Sequence, residues 1–171
     1  MTQQTFIKLL NPVQDKMYRM ALRLLVSREA AQDAVQEAML KLWSRKEGLA
    51  QYDNLEAFAI TVTKNYCLDQ LKLKQNNNLR IVHINYEDHN PSLERHVEVR
   101  DELSRVEKIM ESLPDQQKII IQLRDIENYE YDEIAKVTGM KETAIRVNLS
   151  RARKKIREEL LKKHRYGLET S

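Results

Sequence analysis

The densest concentration of chemistry in this sequence lies near its C-terminal end. Residues 140–165 carry 10 Lys or Arg against 3 Asp or Glu, a net +7 in a chain whose total is only +3. Localised positive charge of this kind suits one contact with a polyanion. A solvated helix face has the same composition, so register has to separate the two readings. With Tyr131 as the first position of a helix-turn-helix, Ala135 falls at the fifth, where a small residue lets two helices approach. Gly139 falls at the ninth, where the turn needs a positive φ that glycine adopts cheaply. Ile145 falls at the fifteenth, where the second helix packs on the first. All three restrictive positions are met, which favours a helix-turn-helix over an ordinary helical hairpin.

Projected as a helix, the segment after Gly139 turns Ile145, Leu149, Ala152, Ile156 and Leu160 toward a core. Glu142, Thr143, Arg146, Val147, Ser150, Arg153 and Arg157 fall outward. The early outward residues can enter a DNA major groove. There Arg146 can grip guanine bidentately, Glu142 can accept from cytosine, and Thr143 and Val147 can touch a thymine methyl. Arg151, Arg153, Lys154 and Lys155 are better placed for phosphates, which add affinity without sequence information.

These side chains need helices to position them, and the sequence is written for helices. Only 3 Gly and 3 Pro occur in 171 residues, too few for the turns of an all-β domain. Phe6, Leu9, Leu10, Val13, Met17, Met20, Ala21 and Leu24 recur at helical spacing, with Asn11-Pro12 expected to divide the stretch at an N-cap. Ser27 reads as the N-cap of a helix built on Ala31, Ala34, Val35, Ala38, Met39 and Leu42 that ends near Arg45. Residues 47–54 read as a loop. A long helix from about Leu55 to Lys74 follows, with apolar residues on more than one face, as suits a helix central in a bundle.

Periodicity fails over residues 75–98, read as a mildly acidic linker and the expected site of first proteolytic cleavage. Ile81-Val82-His83-Ile84 within it allows a short strand with no visible partner. Helical spacing resumes at Val99, Leu103, Val106, Met110 and Leu113 and breaks at Pro114. Asp115 starts the next helix, with Ile119, Ile120, Leu123 and Ile126 inward. The expected fold is all-α: two small helical bundles, 1–74 and 99–171, joined by a flexible linker, 75–98, with the helix-turn-helix in the second.

Other chemistries find little support. No two glycines lie close enough for a phosphate-cradling loop. The single cysteine, Cys67, excludes an intrachain disulfide and reads as a small buried apolar residue. His83, His89 and His96 lie in the linker at a spacing that matches no common zinc motif, so no metal is expected. No carboxylate pair or nucleophile–base set stands out, so neither an enzyme nor a cofactor is expected. The N-terminal stretch lacks the features of a signal peptide, and no 18-residue apolar window exists. The expectation is a cytoplasmic protein with no membrane insertion.

Two polar groupings in the first half are ambiguous by themselves. Asp33, Gln36 and Glu37 share one helical turn opposite Val35 and Leu42, as a plain solvated face would. Tyr52, Asp53 and Asn54 form a polar loop with groups able to stack on and hydrogen-bond an unstacked base.

In combination, the segments resemble the extracytoplasmic-function group of bacterial RNA polymerase sigma factors, within the sigma-70 family. Asp33-Ala34-Val35-Gln36-Glu37-Ala38-Met39, closed by Trp43, is similar to the helix with which that family contacts the polymerase core. Phe58 through Leu71, with Lys64-Asn65 and Leu68-Asp69, is similar to its promoter-melting helix. Leu113-Pro114-Asp115-Gln116-Gln117, Leu123-Arg124-Asp125-Ile126-Glu127 and Leu149-Ser150-Arg151-Ala152-Arg153 are similar to its second domain. Met39 and Phe58 replace the usual Phe and Trp, Lys141 stands where a capping Ser is common, and Thr143 and Asn148 replace the commoner Gly and Arg.

The resemblance implies a sigma factor with no catalytic site that directs core RNA polymerase to promoters. It implies that Asp33, Gln36 and Glu37 dock on the β′ clamp. Tyr52, Asp53, Asn54, Lys64 and Asn65 would serve the melted −10 element, with Asn65 alternatively a buried structural amide. Glu142, Thr143, Arg146, Val147, Ser150, Arg151, Arg153 and Lys154 would serve the −35 element. The second bundle would also bind the β flap, and an anti-sigma factor would hold the protein inactive. A stand-alone helix-turn-helix regulator explains residues 113–157 equally well but leaves the first bundle without a role. A helical adaptor that binds only proteins predicts no salt-sensitive DNA affinity.

Overall fold

The computed structural model describes residues 1–80 and 99–169, with side chains over 1–77 and 104–162. The strand allowed at 81–84, most of the linker and His83, His89 and His96 lie outside the described residues. Among the described residues every regular element is helical.

Helix α1 (Gln3–Leu25) starts at Thr2, whose side chain accepts from the Thr5 N–H, and carries Phe6, Leu10, Val13, Met17, Met20, Ala21 and Leu24 on its buried face. It is continuous through Pro12, so the expected division at Asn11-Pro12 does not occur. An interior proline costs roughly 3 kcal/mol. Phe6 and Leu10 before it and Val13 and Met17 after it are all buried in one core, each side chain contributing about 1.5–3 kcal/mol. That burial outweighs the break.

Helix α2 (Arg28–Ser44) begins as expected at Ser27, whose hydroxyl accepts from the Ala30 N–H at 3.2 Å. Ala31, Ala34 and Ala38 are fully buried along one side. Their small size lets α2 lie close against α1 and α3, and Trp43 closes the seam edge-on to Phe6 at 5.0 Å. The chain then makes a short 3₁₀ turn (Lys46–Gln51) that buries Leu49.

Helix α3 (Leu55–Arg80) buries Ala57, Ala59, Ile60, Thr63, Lys64 and Cys67. It meets α1 and α2 and also α6 of the second bundle, which is why its buried residues spread over more than one face. It runs on through Gln75-Asn76-Asn77-Asn78 to Arg80, into the stretch read as linker. Extending an existing helix fixes one residue per bond, whereas nucleation fixes several, so a tail of modest helix formers can follow a stable body.

The second bundle contains α4 (Val99–Glu111), α5 (Asp115–Ile121), α6 (Tyr131–Thr138) and α7 (Glu142–Glu169). A wider π-helical turn (Gln122–Ile126) extends α5. Gly139 closes α6 at φ 72, the left-handed conformation expected of the turn glycine. Ile134, Val137, Ile145, Leu149 and Ala152 form the buried seam between α6 and α7. Leu160, expected inward, is 37% exposed, because packing on α7 fades beyond Ile156. Cys67 is fully buried, and burial pushes its thiol up to about 12.

Candidate nucleic-acid interface

Helix α7 presents a continuous polar face on a rigid base. Ile145, Leu149 and Ala152 anchor it to the core, while Glu142, Thr143, Arg146, Val147, Ser150, Arg151, Arg153 and Lys154 are all exposed. The face expected from helical projection is therefore the face that forms. Its arginines are not equivalent. Arg146 donates from Nε at 3.2 Å and from Nη2 at 2.8 Å to Glu142 Oε1, and its guanidinium lies 4.3 Å from the Tyr131 ring centroid. Arg153 instead forks onto Asp125, from Nε at 3.0 Å and from Nη2. The bond to the Asp125 carboxylate holds the Arg153 pKa above its ordinary value. Arg151 has no ion-pair partner among the described residues, and Lys154 only a distant Glu158 at 3.9 Å. Arg151 and Lys154, both exposed, are thus open to a phosphate contact, as is exposed Arg157. A cleft lined by Tyr131, Arg146, Leu149, Arg153 and Arg157 runs beside this face.

The residues expected at the −10 element are arranged differently. Tyr52 is exposed at 43%, and its ring stacks on Phe58 at 4.1 Å and 12°. Asp53 and Asn65 are exposed, so the alternative of Asn65 as a buried amide does not hold. Asn54 caps α3: its Oδ1 accepts from the Ala57 N–H at 2.9 Å, and its Nδ2 faces Glu133 of α6 at 3.4 Å. Lys64 is only 8% exposed and donates to the Val137 carbonyl at 2.7 Å. Burial lowers its ammonium pKa. Tyr52, Asp53 and Asn65 thus stand open, while Asn54 and Lys64 are engaged by the second bundle.

The contact between the bundles involves residues that the sequence reading did not single out. Arg19 donates to both Glu127 oxygens, at 2.5 and 2.9 Å, and Arg23 bridges Gln122 at 2.9 Å and Glu107 at 2.5 Å. The Arg19 bond is the main cause that holds the Glu127 carboxyl below the ordinary 4.5. Tyr129 is 3% exposed beneath the Lys16 ammonium, which lies 5.5 Å from its ring centroid. One signal for this contact was present in the chain. Residues 101–139 hold 10 Asp or Glu against 5 Lys or Arg, while α1 sets Lys16, Arg19 and Arg23 at helical spacing.

On the opposite side of α2, Asp33, Gln36 and Glu37 are exposed as expected. Leu40, one turn on, is 62% exposed beside a cleft between α1 and α2 lined by Phe6, Ile7, Met39 and Trp43. Ile7, 46% exposed, adds to the apolar surface that Leu40 leaves open beside this cleft.

Comparison with known proteins agrees with this two-part organisation. The sequence model of Sigma-70 region 2 matches residues 9–76, and that of Sigma-70, region 4 matches residues 103–156. The chain is 28% identical over 167 residues to "Probable RNA polymerase sigma factor RfaY" of Xanthomonas campestris pv. campestris, covering 94% of this chain and 42% of that one. It is 26% identical over 153 residues to "ECF RNA polymerase sigma factor SigE" of Mycolicibacterium smegmatis, covering 86% of this chain and 58% of the relative. The chain thus spans about half the length of the curated relatives it matches. In three dimensions it is similar to the sigma factor RpoE solved with the anti-sigma factor NepR from Bartonella quintana, with a TM-score of 0.76 at 22% identity over 92% of this chain and 97% of that chain. It is also similar to CnrH solved with the cytosolic domain of CnrY, with a TM-score of 0.67 at 20% identity over 93% of this chain and 89% of that chain.

Proposed function

Because the chain belongs to the extracytoplasmic-function group of the sigma-70 family, we propose that it directs core RNA polymerase to promoters by dividing the work between its bundles. The exposed face of α7 reads the −35 major groove, with Arg146, Glu142, Thr143 and Val147 toward base edges and Arg151 and Lys154 toward phosphates. The observation that carries this reading is that face, anchored by Ile145, Leu149 and Ala152 beneath exposed Arg146 and Val147.

The first bundle docks through Asp33, Gln36, Glu37 and Leu40 on the β′ clamp. The Tyr52–Asn54 loop, with Asn65, captures a base of the melted −10 strand. Tyr52 stacked on Phe58 supports this role, because an aromatic platform rewards an unstacked base. Lys64 and Asn54 can join only when α6 moves away, since both are engaged by it. The second bundle also binds the β flap, and an anti-sigma factor is the regulatory partner. No helix among the described residues is long and apolar enough to cross a membrane. The work is done in the cytoplasm, where polymerase is.

Run-off transcription with purified core polymerase on randomised promoters tests the proposal. Start-site-specific transcripts that depend on this chain, with selected −35 and −10 sequences, are expected. DNA binding without any polymerase-dependent start would instead favour a stand-alone regulator.

A further inference from the structure

Tyr131 opens α6 and is half-buried against the helix-turn-helix core. Two guanidinium groups lie against its one ring, Arg124 at 4.5 Å and Arg146 at 4.3 Å from the centroid. Arg124 is itself tied down, donating to the Tyr129 carbonyl at 2.8 Å and facing Glu130 at 3.7 Å. The ring is therefore held by the core below and by a fixed cation beside it.

Arg146 needs such a support. Its side chain is long, exposed at 59% and rich in rotamers. An exposed pair with Glu142 four residues away fixes such a chain weakly. Both of its bonds to Glu142 leave from the Nε/Nη2 side. Among the described residues nothing takes the Nη1 protons, so the outer edge of the fork stays free for an acceptor pair such as guanine O6 and N7. Ring and carboxylate together restrict the guanidinium and leave that edge open.

We propose that Tyr131 is a positioning residue for −35 reading, its ring face holding Arg146 in the orientation that meets a base. The inference rests on the proposed base contact of Arg146 and extends it to a residue on the preceding helix. The chemistry required is the aromatic face and not the hydroxyl.

The test uses reconstituted holoenzyme with Tyr131→Phe, Tyr131→Leu, Arg146→Ala and the Tyr131→Leu/Arg146→Ala double variant, read on a library randomised at the −35 element. The readout is the ratio between promoter sequences, which does not depend on the folded fraction of each variant. Tyr131→Leu is expected to reduce discrimination about two- to fivefold at the same positions that Arg146→Ala affects. Tyr131→Phe should keep it, and in the Arg146→Ala background Tyr131→Leu should change no positional preference. A uniform loss over all −35 sequences on Tyr131→Leu, with Arg146→Ala still positional, overturns the positioning role alone. Equal effects of Phe and Leu overturn it too, pointing to a hydroxyl contact. Unchanged preference in Arg146→Ala removes the base-contact reading and this inference with it.

Discussion

Lys64, in the middle of α3, donates at 2.7 Å to the Val137 carbonyl near the C-terminal end of α6. A helix leaves its last carbonyls without intrahelical partners, and its dipole favours a cation there. One bond therefore satisfies an orphan acceptor of the second bundle with a buried ammonium of the first, and it ties the candidate −10 helix to the helix-turn-helix.

Lys64→Ala leaves that acceptor unpaired. A loss of roughly 1–3 kcal/mol in stability is expected, together with a larger mean separation of labels placed on α2 and α7, measured by energy transfer. Unchanged separation would mean that other contacts suffice to hold the bundles.

The Arg19–Glu127 pair sets an acid limit on the same contact. Glu127 has a pKa below the ordinary 4.5, chiefly because of the Arg19 bond. A carboxyl whose pKa is depressed on folding contributes stability that is complete above its unfolded value and lost as pH falls through the folded one. The bundles should therefore hold through neutral pH and loosen on acidification below about pH 4.5. Glu127→Gln should remove this part of the acid dependence, read as a flatter energy-transfer profile.

Charge reversal at Asp33 and Glu37 should abolish co-purification with core polymerase and leave thermal melting unchanged, since both side chains are exposed. Leu40→Ser should weaken the same interaction, because a 62% exposed leucine contributes area only when a partner covers it.

Arg146→Ala should relax preference at one or two −35 positions by roughly 5- to 100-fold. Lys154→Ala should weaken all promoters alike and lower the salt slope by about 0.9 per lost phosphate contact. Arg153→Ala is expected to act mainly through the protein, because Asp125 already occupies its fork. The checks are holoenzyme titrations at several salt concentrations and melting of the free chain.

Gly139→Ala tests the turn. An added Cβ meets no heavy atom within 4 Å, but φ is +72. The cost is then conformational alone, about 1 kcal/mol, or a Tm lower by about 2–4 °C. Gly139→Asn, which tolerates this conformation better, should lose less.

What the sequence by itself determined is what repeats within one element. The Ser27 cap, the Gly139 turn and the split of α7 into buried Ile145, Leu149 and Ala152 against exposed Arg146 and Ser150 follow from helical period and local backbone preference. Both bundles were legible for the same reason. The continuity of α1 through Pro12 and of α3 to Arg80 was not, because local breaking signals there are outweighed by burial and by helix propagation. The state of single polar side chains was decided only by tertiary structure. Lys64, placed at the −10 element by the family resemblance, meets Val137, 73 positions away; Arg153 meets Asp125, 28 away; Arg19 meets Glu127, 108 away. Period tells which way a side chain points from its own helix. Which carbonyl or carboxylate stands opposite depends on how separate helices dock, and that is set by shape and charge across the whole fold.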